Sequence, residues 1–299
     1  MDSSDPSPAA ASPLDAAYDH CAELVRAHDR DRFLSALFAP PDRRRHLLAL
    51  YAFNLDVARV REVVREPLPG EVRLAWWREV IEGEGRGEVA GHPVAAALLD
   101  TIARFRLPRA AFVALTDARI FDLYDDPMPT LGDLEGYAGE TASALLQLSA
   151  LIVLPDVGRS GDLSGHAGVA IALTGLMRAF PIHAARGQCF LPLDILSRHG
   201  VGREEAVSGT VTPGLLAALA ELRAIAGRHL GQARDAAGQV YAATSIAAPF
   251  LPLALVKGDL SSLARVRDPF HQSAGLSPFR RQLALWWASK QAARGRIWF

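Results

Sequence analysis

The sequence predicts an all-α fold in one domain, and three observations carry that prediction. Apolar residues recur at helical spacing in nearly every segment, with no stretch of sustained alternation. Prolines and glycines punctuate those segments. No linker and no internal repeat divides the 299 residues, half of which are hydrophobic, enough to bury a large core.

Residues 1–13 read as a disordered tail. They carry acids, no Arg, no basic start and no apolar run, unlike a secretory signal or a transit peptide. The domain then runs over residues 14–299. Leu14–His28 starts a first helix and Arg30–Leu37 continues into a second. Pro40 and Pro41 break the chain, and Asp42 can cap a long helix from Arg43 to Arg65. Pro67, Pro69 and Gly70 are expected to end it. Val72–Glu82 follows, closed by GEGRGE.

Further helices are expected at Pro93–Phe105, Pro108–Tyr124, Thr130–Ile152 and Ser164–Phe180. Pro108 suits a first turn, whereas Pro181 should break or kink the helix just before His183. After Gly200 come Arg203–Val207, Pro213–Leu230, Ala233–Tyr241, Pro252–Val256, Leu260–Val266 and a last helix, Pro278–Ala293.

Composition excludes several classes of function. A formal net charge of −1 gives no global field for nucleic acid. Two distant cysteines, Cys21 and Cys189, argue against a disulfide framework or a structural zinc site, and for a reducing compartment. The longest apolar runs, Leu148–Leu154 and Ile246–Val256, fall short of the ~20 residues of a membrane span.

Several side chains then stand out. Asp122 and Asp126 share a helix face at i, i+4; Asp122 is open to a cation-binding or a capping reading, while Asp125 and Asp126 read as a solvated helix end. His183 has no Cys or His at ligand spacing, and so reads as a polar residue at a helix end. The adjacent Trp76 and Trp77 cannot share one face, so one belongs to the core and the other to its edge. Phe279, Leu283, Trp286 and Trp287 form one apolar stripe on the last helix, beside Arg280, Arg281 and Lys290, and no acid follows Asp268. Such a helix either lies on an anionic membrane or docks on its own domain, and the sequence leaves both open.

Four stretches carry a resemblance: YAFN at 51–54, LAWWRE at 74–79, YAGETASALL at 137–146, and LMRAFPIHAARGQCFLPLDILSRHG at 176–200. Over roughly residues 18–240 the chain resembles the squalene/phytoene synthase family. The resemblance implies an isoprenoid-synthase-like helical bundle with a central cavity. In that family two aspartate motifs hold Mg²⁺, which bridges a prenyl diphosphate and draws off the leaving group as a Lewis acid. Here Arg178, Arg186, Gly187, Phe190, Leu191 and Pro192 fit the frame of the second motif, but its aspartates fall on Ala179 and His183. Those of the first fall on Ala58 and Arg59, and only Glu62 keeps an acid. Asp56 lies roughly 200° around the helix from Ala58 and should not share its cavity.

By the same resemblance a substrate or lipid pocket would draw on Tyr51, Glu62, Asp122, Tyr137, Ser143, Arg178 and His183, with only Glu62 and Asp122 left to a metal. Ser143 and Leu146 replace glycines, and Leu146 would narrow a prenyl tunnel. The degenerate motifs resemble the complex I assembly factor 6 group. That implies a non-catalytic role without cofactor, with complex I subunits or assembly intermediates, a membrane surface or a prenyl lipid as partners. The expected place is the cytoplasm or the inner face of the inner membrane. The other reading is an active Mg²⁺-dependent enzyme that condenses two prenyl diphosphates head to head.

Overall fold

Prolines place many of the helix starts. Pro13, Pro41, Pro67, Pro93 and Pro278 each sit in the first turn of a helix, where the N–H they lack would have had no partner within the helix. A computed structural model describes residues 12–85, 89–154, 160–240, 247–272 and 274–299. Its helices are α1 (Pro13–His28), α2 (Arg30–Ala36), α3 (Pro41–Ala58), α4 (Val60–Val63), α5 (Pro67–Glu82), α6 (Pro93–Phe105), α7 (Arg109–Ala118) and α8 (Leu131–Ala138). There follow α9 (Ala144–Val153), α10 (Gly161–Ala185), α11 (Leu193–Arg198), α12 (Arg203–Ala206), α13 (Pro213–Val240), α14 (Ala247–Phe250), α15 (Leu253–Leu263) and α16 (Pro278–Ala292). Among the described residues there is no strand. Residues 1–11 of the expected tail lie outside the described residues.

Several boundaries differ from the sequence reading, for local reasons. The helix expected over 43–65 is two helices. Arg59 leaves helical geometry (φ −101°, ψ 8°) between α3 and α4. Pro67–Gly70, expected as a stop, form the first turn of α5. Thr130–Ile152 is interrupted by a π-helical turn over Gly139–Ser143. Pro181 does not break α10, which runs on to Ala185. The bond lost to the Met177 carbonyl is tolerated because Phe180 and Ala184 on either side are buried in the core. Two expected pairs of short helices are the continuous α13 and α15, and α11 was not foreseen.

The core has three parts. The first joins α1, α3, α5, α6 and α7 around Phe53, Leu98 and Phe112. It takes Trp77 inside, edge-on to Phe53 at 5.0 Å, while Trp76 stays half-buried. The second joins α8, α10, α11 and α13. The third joins α9, α10, α14, α15 and α16. Cys21 and Cys189 are both buried and free.

The helix α10 belongs to two of these cores. Among the described residues it alone has the length and mean hydropathy of a membrane span, yet half of that window is buried inside the fold, so its apolar character is used in packing. The π-helical turn lets the chain pass very close to it. A Cβ on Gly168 would overlap the Ser143 backbone, and the Ser143 hydroxyl donates to the Gly165 carbonyl at 2.8 Å. The small residues of YAGETASALL thus serve a helix crossing. Leu146 is buried in the third core.

Candidate functional site

One cleft gathers the residues that the two degenerate motifs place on separate helices. Its wall is Ala58 from the end of α3, Arg61 and Glu62 from α4, Arg119 and Asp122 from the 3₁₀ turn after α7, Tyr137 from α8, Leu176 and His183 from α10, and Arg186, Gln188 and Phe190 beyond it. Its volume is about 130 Å³. Of the residues expected in a pocket, Glu62, Asp122, Tyr137 and His183 meet here.

Three do not. Tyr51 is buried in the first core, with the Arg32 guanidinium 5.9 Å from its ring centre. Ser143 is engaged with α10 as described. Arg178 faces away from the cleft, towards α15, 3.5 Å from Asp259 and 3.4 Å from the Ala274 carbonyl. Its neighbour Ala179 lies one turn before His183 on α10 but does not line the cleft. Asp56 pairs with His92 at 3.8 Å, outside the cleft as its helical position required.

Each acid in the cleft already holds an arginine. Arg59 Nε donates to Glu62 at 2.8 Å. Arg119 Nη1 donates to Asp122 at 3.0 Å and to the Tyr137 hydroxyl at 2.6 Å, and that hydroxyl donates to Asp122 at 2.8 Å. Burial, with Asp122 beside it, holds the Tyr137 hydroxyl above its ordinary pKa, so it stays protonated as a donor. Gln188 fixes the same turn by donating to the Asp122 carbonyl at 3.2 Å. Burial pushes the His183 imidazole below its ordinary value, partly offset by Asp122, and its ring packs 4.7 Å from Phe190. His183 thus offers the cleft an imidazole whose neutral form burial favours.

This donor set does not suit Mg²⁺, which needs several free oxygen ligands. Two ion-paired carboxylates and a neutral imidazole stand among Arg59, Arg61, Arg119 and Arg186. Among the described residues no three His, Cys, Asp or Glu side chains are arranged to hold a metal. Arg61 and Arg119 were missed by sequence reasoning, as was the pairing of Arg59 with Glu62. The signal was the i, i+3 spacing of Arg119 and Asp122, and of Arg59 and Glu62. A second polar chain also went unnoticed: His166 meets His229 at 3.1 Å, and His229 meets Glu135 at 3.1 Å, tying α10 and α13 to α8.

The last helix settles the face it docks by. Leu285, Ala288 and Ala292 pack into the third core, and Phe279, Leu283, Trp286 and Trp287 are turned outward. Arg281, expected on that outward surface, is instead on the docked side. It bonds Asp31 of α2 at 3.0 Å and Asp259 of α15 at 2.9 Å.

Comparison with known proteins agrees with this architecture. A solved dehydrosqualene synthase superposes with a TM-score of 0.76 at 16% identity, covering 94% of this chain and 98% of that one. The chain is 30% identical over 256 residues to a rat protein named NADH dehydrogenase (ubiquinone) complex I, assembly factor 6, covering 85% of this chain and 76% of that protein. The human protein of that name is 31% identical over 219 residues, covering 73% and 66%. A family model described as squalene/phytoene synthase matches residues 25–287, and the chain belongs to that family.

Proposed function

We propose that this chain is a non-catalytic member of its family that acts as a scaffold in the assembly of respiratory complex I. The observation that carries the reading is that both carboxylates of the cleft are neutralised by arginines of the chain itself, Glu62 by Arg59 and Asp122 by Arg119. A trinuclear metal site would require those acids free and joined by several more. The names of the rat and human relatives support an assembly role, with complex I subunits or assembly intermediates as partners. The place of action is the cytoplasm and the inner face of the membrane.

Lipid binding survives in this reading only in altered form. The cleft presents Arg61, Arg119 and Arg186, and the Arg119 Nε is buried without an acceptor. That arrangement suits an anionic head group held without metal.

The experiment is incubation of the purified protein with Mg²⁺ and farnesyl or geranylgeranyl diphosphate. No release of diphosphate above a denatured control is expected. Release, or a C30 or C40 product, would overturn the reading in favour of head-to-head condensation. Loss of the chain from its host should lower the amount of assembled complex I on a native gel.

A further inference from the structure

Among the described residues the outward face of α16 has no partner, and its composition is lopsided. At roughly 100° per residue, Phe279, Arg280, Leu283, Trp286, Trp287 and Lys290 fall within one arc of about 120°. The opposite arc holds Leu285, Ala288 and Ala292, which are buried. Four large apolar side chains on the outward arc are half exposed or more: Phe279 73%, Leu283 51%, Trp286 51% and Trp287 50%. Leu37 and Phe38, just past the helix α2 on which α16 packs, are exposed as well. Single exposed apolar residues need no explanation, but a contiguous set with two tryptophans marks a surface meant to be covered.

The charges around it identify the covering material. Arg280, Lys290, Arg294 and Arg296 are all exposed, and none has an acidic partner among the described residues. Lys290 Nζ sits over the Trp286 ring, 5.8 Å from its centre. Arg281, the one cation of the helix drawn into ion pairs, is on the other side. A protein partner would have to supply acids at four matching positions. A bilayer of acidic phospholipids supplies apolar depth under the rings and negative head groups all around them, with no geometric demand.

We infer that α16 is an interfacial helix that seats this protein on an anionic phospholipid surface. The helix lies flat, held to the domain by Leu285, Ala288 and Arg281, with Trp286 and Trp287 entering at the level of the head groups. This does not rest on the assembly reading: the surface would bind acidic vesicles whether or not the chain serves complex I.

The test is flotation of the full-length protein with two kinds of vesicle, pure phosphatidylcholine and a mixture of phosphatidylcholine with phosphatidylglycerol. The native chain should float with the mixed vesicles, release in high salt, and bind pure phosphatidylcholine several-fold more weakly. W286S/W287S should lose most of the binding while keeping its melting temperature, since both rings are turned outward. R280Q/K290Q, which leaves the apolar arc intact, should weaken partition by about fivefold or more per cation removed. Equal flotation of the native chain and W286S/W287S would overturn the inference. So would a native dimer that W286S/W287S converts to monomer while neither binds vesicles, because the arc would then be covered by a second copy.

Discussion

The Arg59 guanidinium lies 2.8 Å from the Glu62 carboxylate, across the short break between α3 and α4. The one acid kept from the first aspartate motif is therefore held by a residue of the same motif that changed sign. Mg²⁺ should add nothing to the rise in melting temperature that a prenyl diphosphate alone gives the native chain. The variant A58D/R59D/H183D frees Glu62 and adds acids beside it at Ala58 and His183 of the cleft. With the diphosphate present, Mg²⁺ should raise its melting temperature by about several degrees, because a ligand that binds only the folded state stabilises it by mass action. A comparable rise from Mg²⁺ in the native chain would mean that metal binding survives without those acids.

Arg119 is the counter-ion of the other cleft acid. R119A leaves a part-buried Asp122 with no cation and should cost about 1.5–3 kcal/mol in urea unfolding. Y137F removes one neutral donor and should cost about 1–2 kcal/mol. In the double variant the two losses should not add, since the three groups share one network.

The crossing of the π-helical turn over α10 depends on Gly168. G168A should destabilise by about 3 kcal/mol, because the added carbon meets Ser143 backbone, which cannot swing aside. G175A, two turns along the same helix and facing open space, should instead gain about 0.5–1 kcal/mol. Chemical denaturation of the two variants separates packing from helix propensity.

His46 supplies a pH dependence. Its ring is buried between Tyr18 and Phe105, and burial, with Arg45 and Arg104 adding, holds its pKa down at about 4. The unfolded chain takes up this proton near pH 6.5. Between those values the unfolded state binds more protons, so stability rises with pH through that window. The contribution is complete above about pH 6.5 and falls by about 3 kcal/mol as pH drops towards 4. Urea midpoints measured across that range should show the slope in the native chain and lose it in H46Q.

Helix positions were legible because proline and apolar spacing act locally. Pro93–Phe105 was read to the residue, and the edge-and-core split of Trp76 and Trp77 followed from helical geometry alone. The break at Arg59 was not legible, because no proline or glycine marks it; at Gly139 a glycine is present, but the π-helical turn goes with a tertiary contact, Ser143 against Gly168, that periodicity cannot see. Glu62, Asp122, Tyr137 and His183 come together in one cleft, and Arg178 lies apart from them: sequence fixes its position along α10, but only packing decides that it faces Asp259. Arg119 went unremarked and Arg281 was read as surface for a related reason. A cation looks like surface in a sequence, and becomes structural only when distant acids arrive to meet it.

The link from Arg281 to Asp31 joins residues 250 positions apart. Until residue 281 has been synthesised, Asp31 lacks the cation that neutralises it, Asp259 has only Arg178, and the α2 side of the third core lacks its facing helix. Closure of such a contact is slow because so long a loop must be drawn in before it stabilises anything. The chain emerging from the ribosome therefore carries an unfinished seam between α2 and its last helix, and the helix that completes that seam is the one that carries the exposed tryptophans.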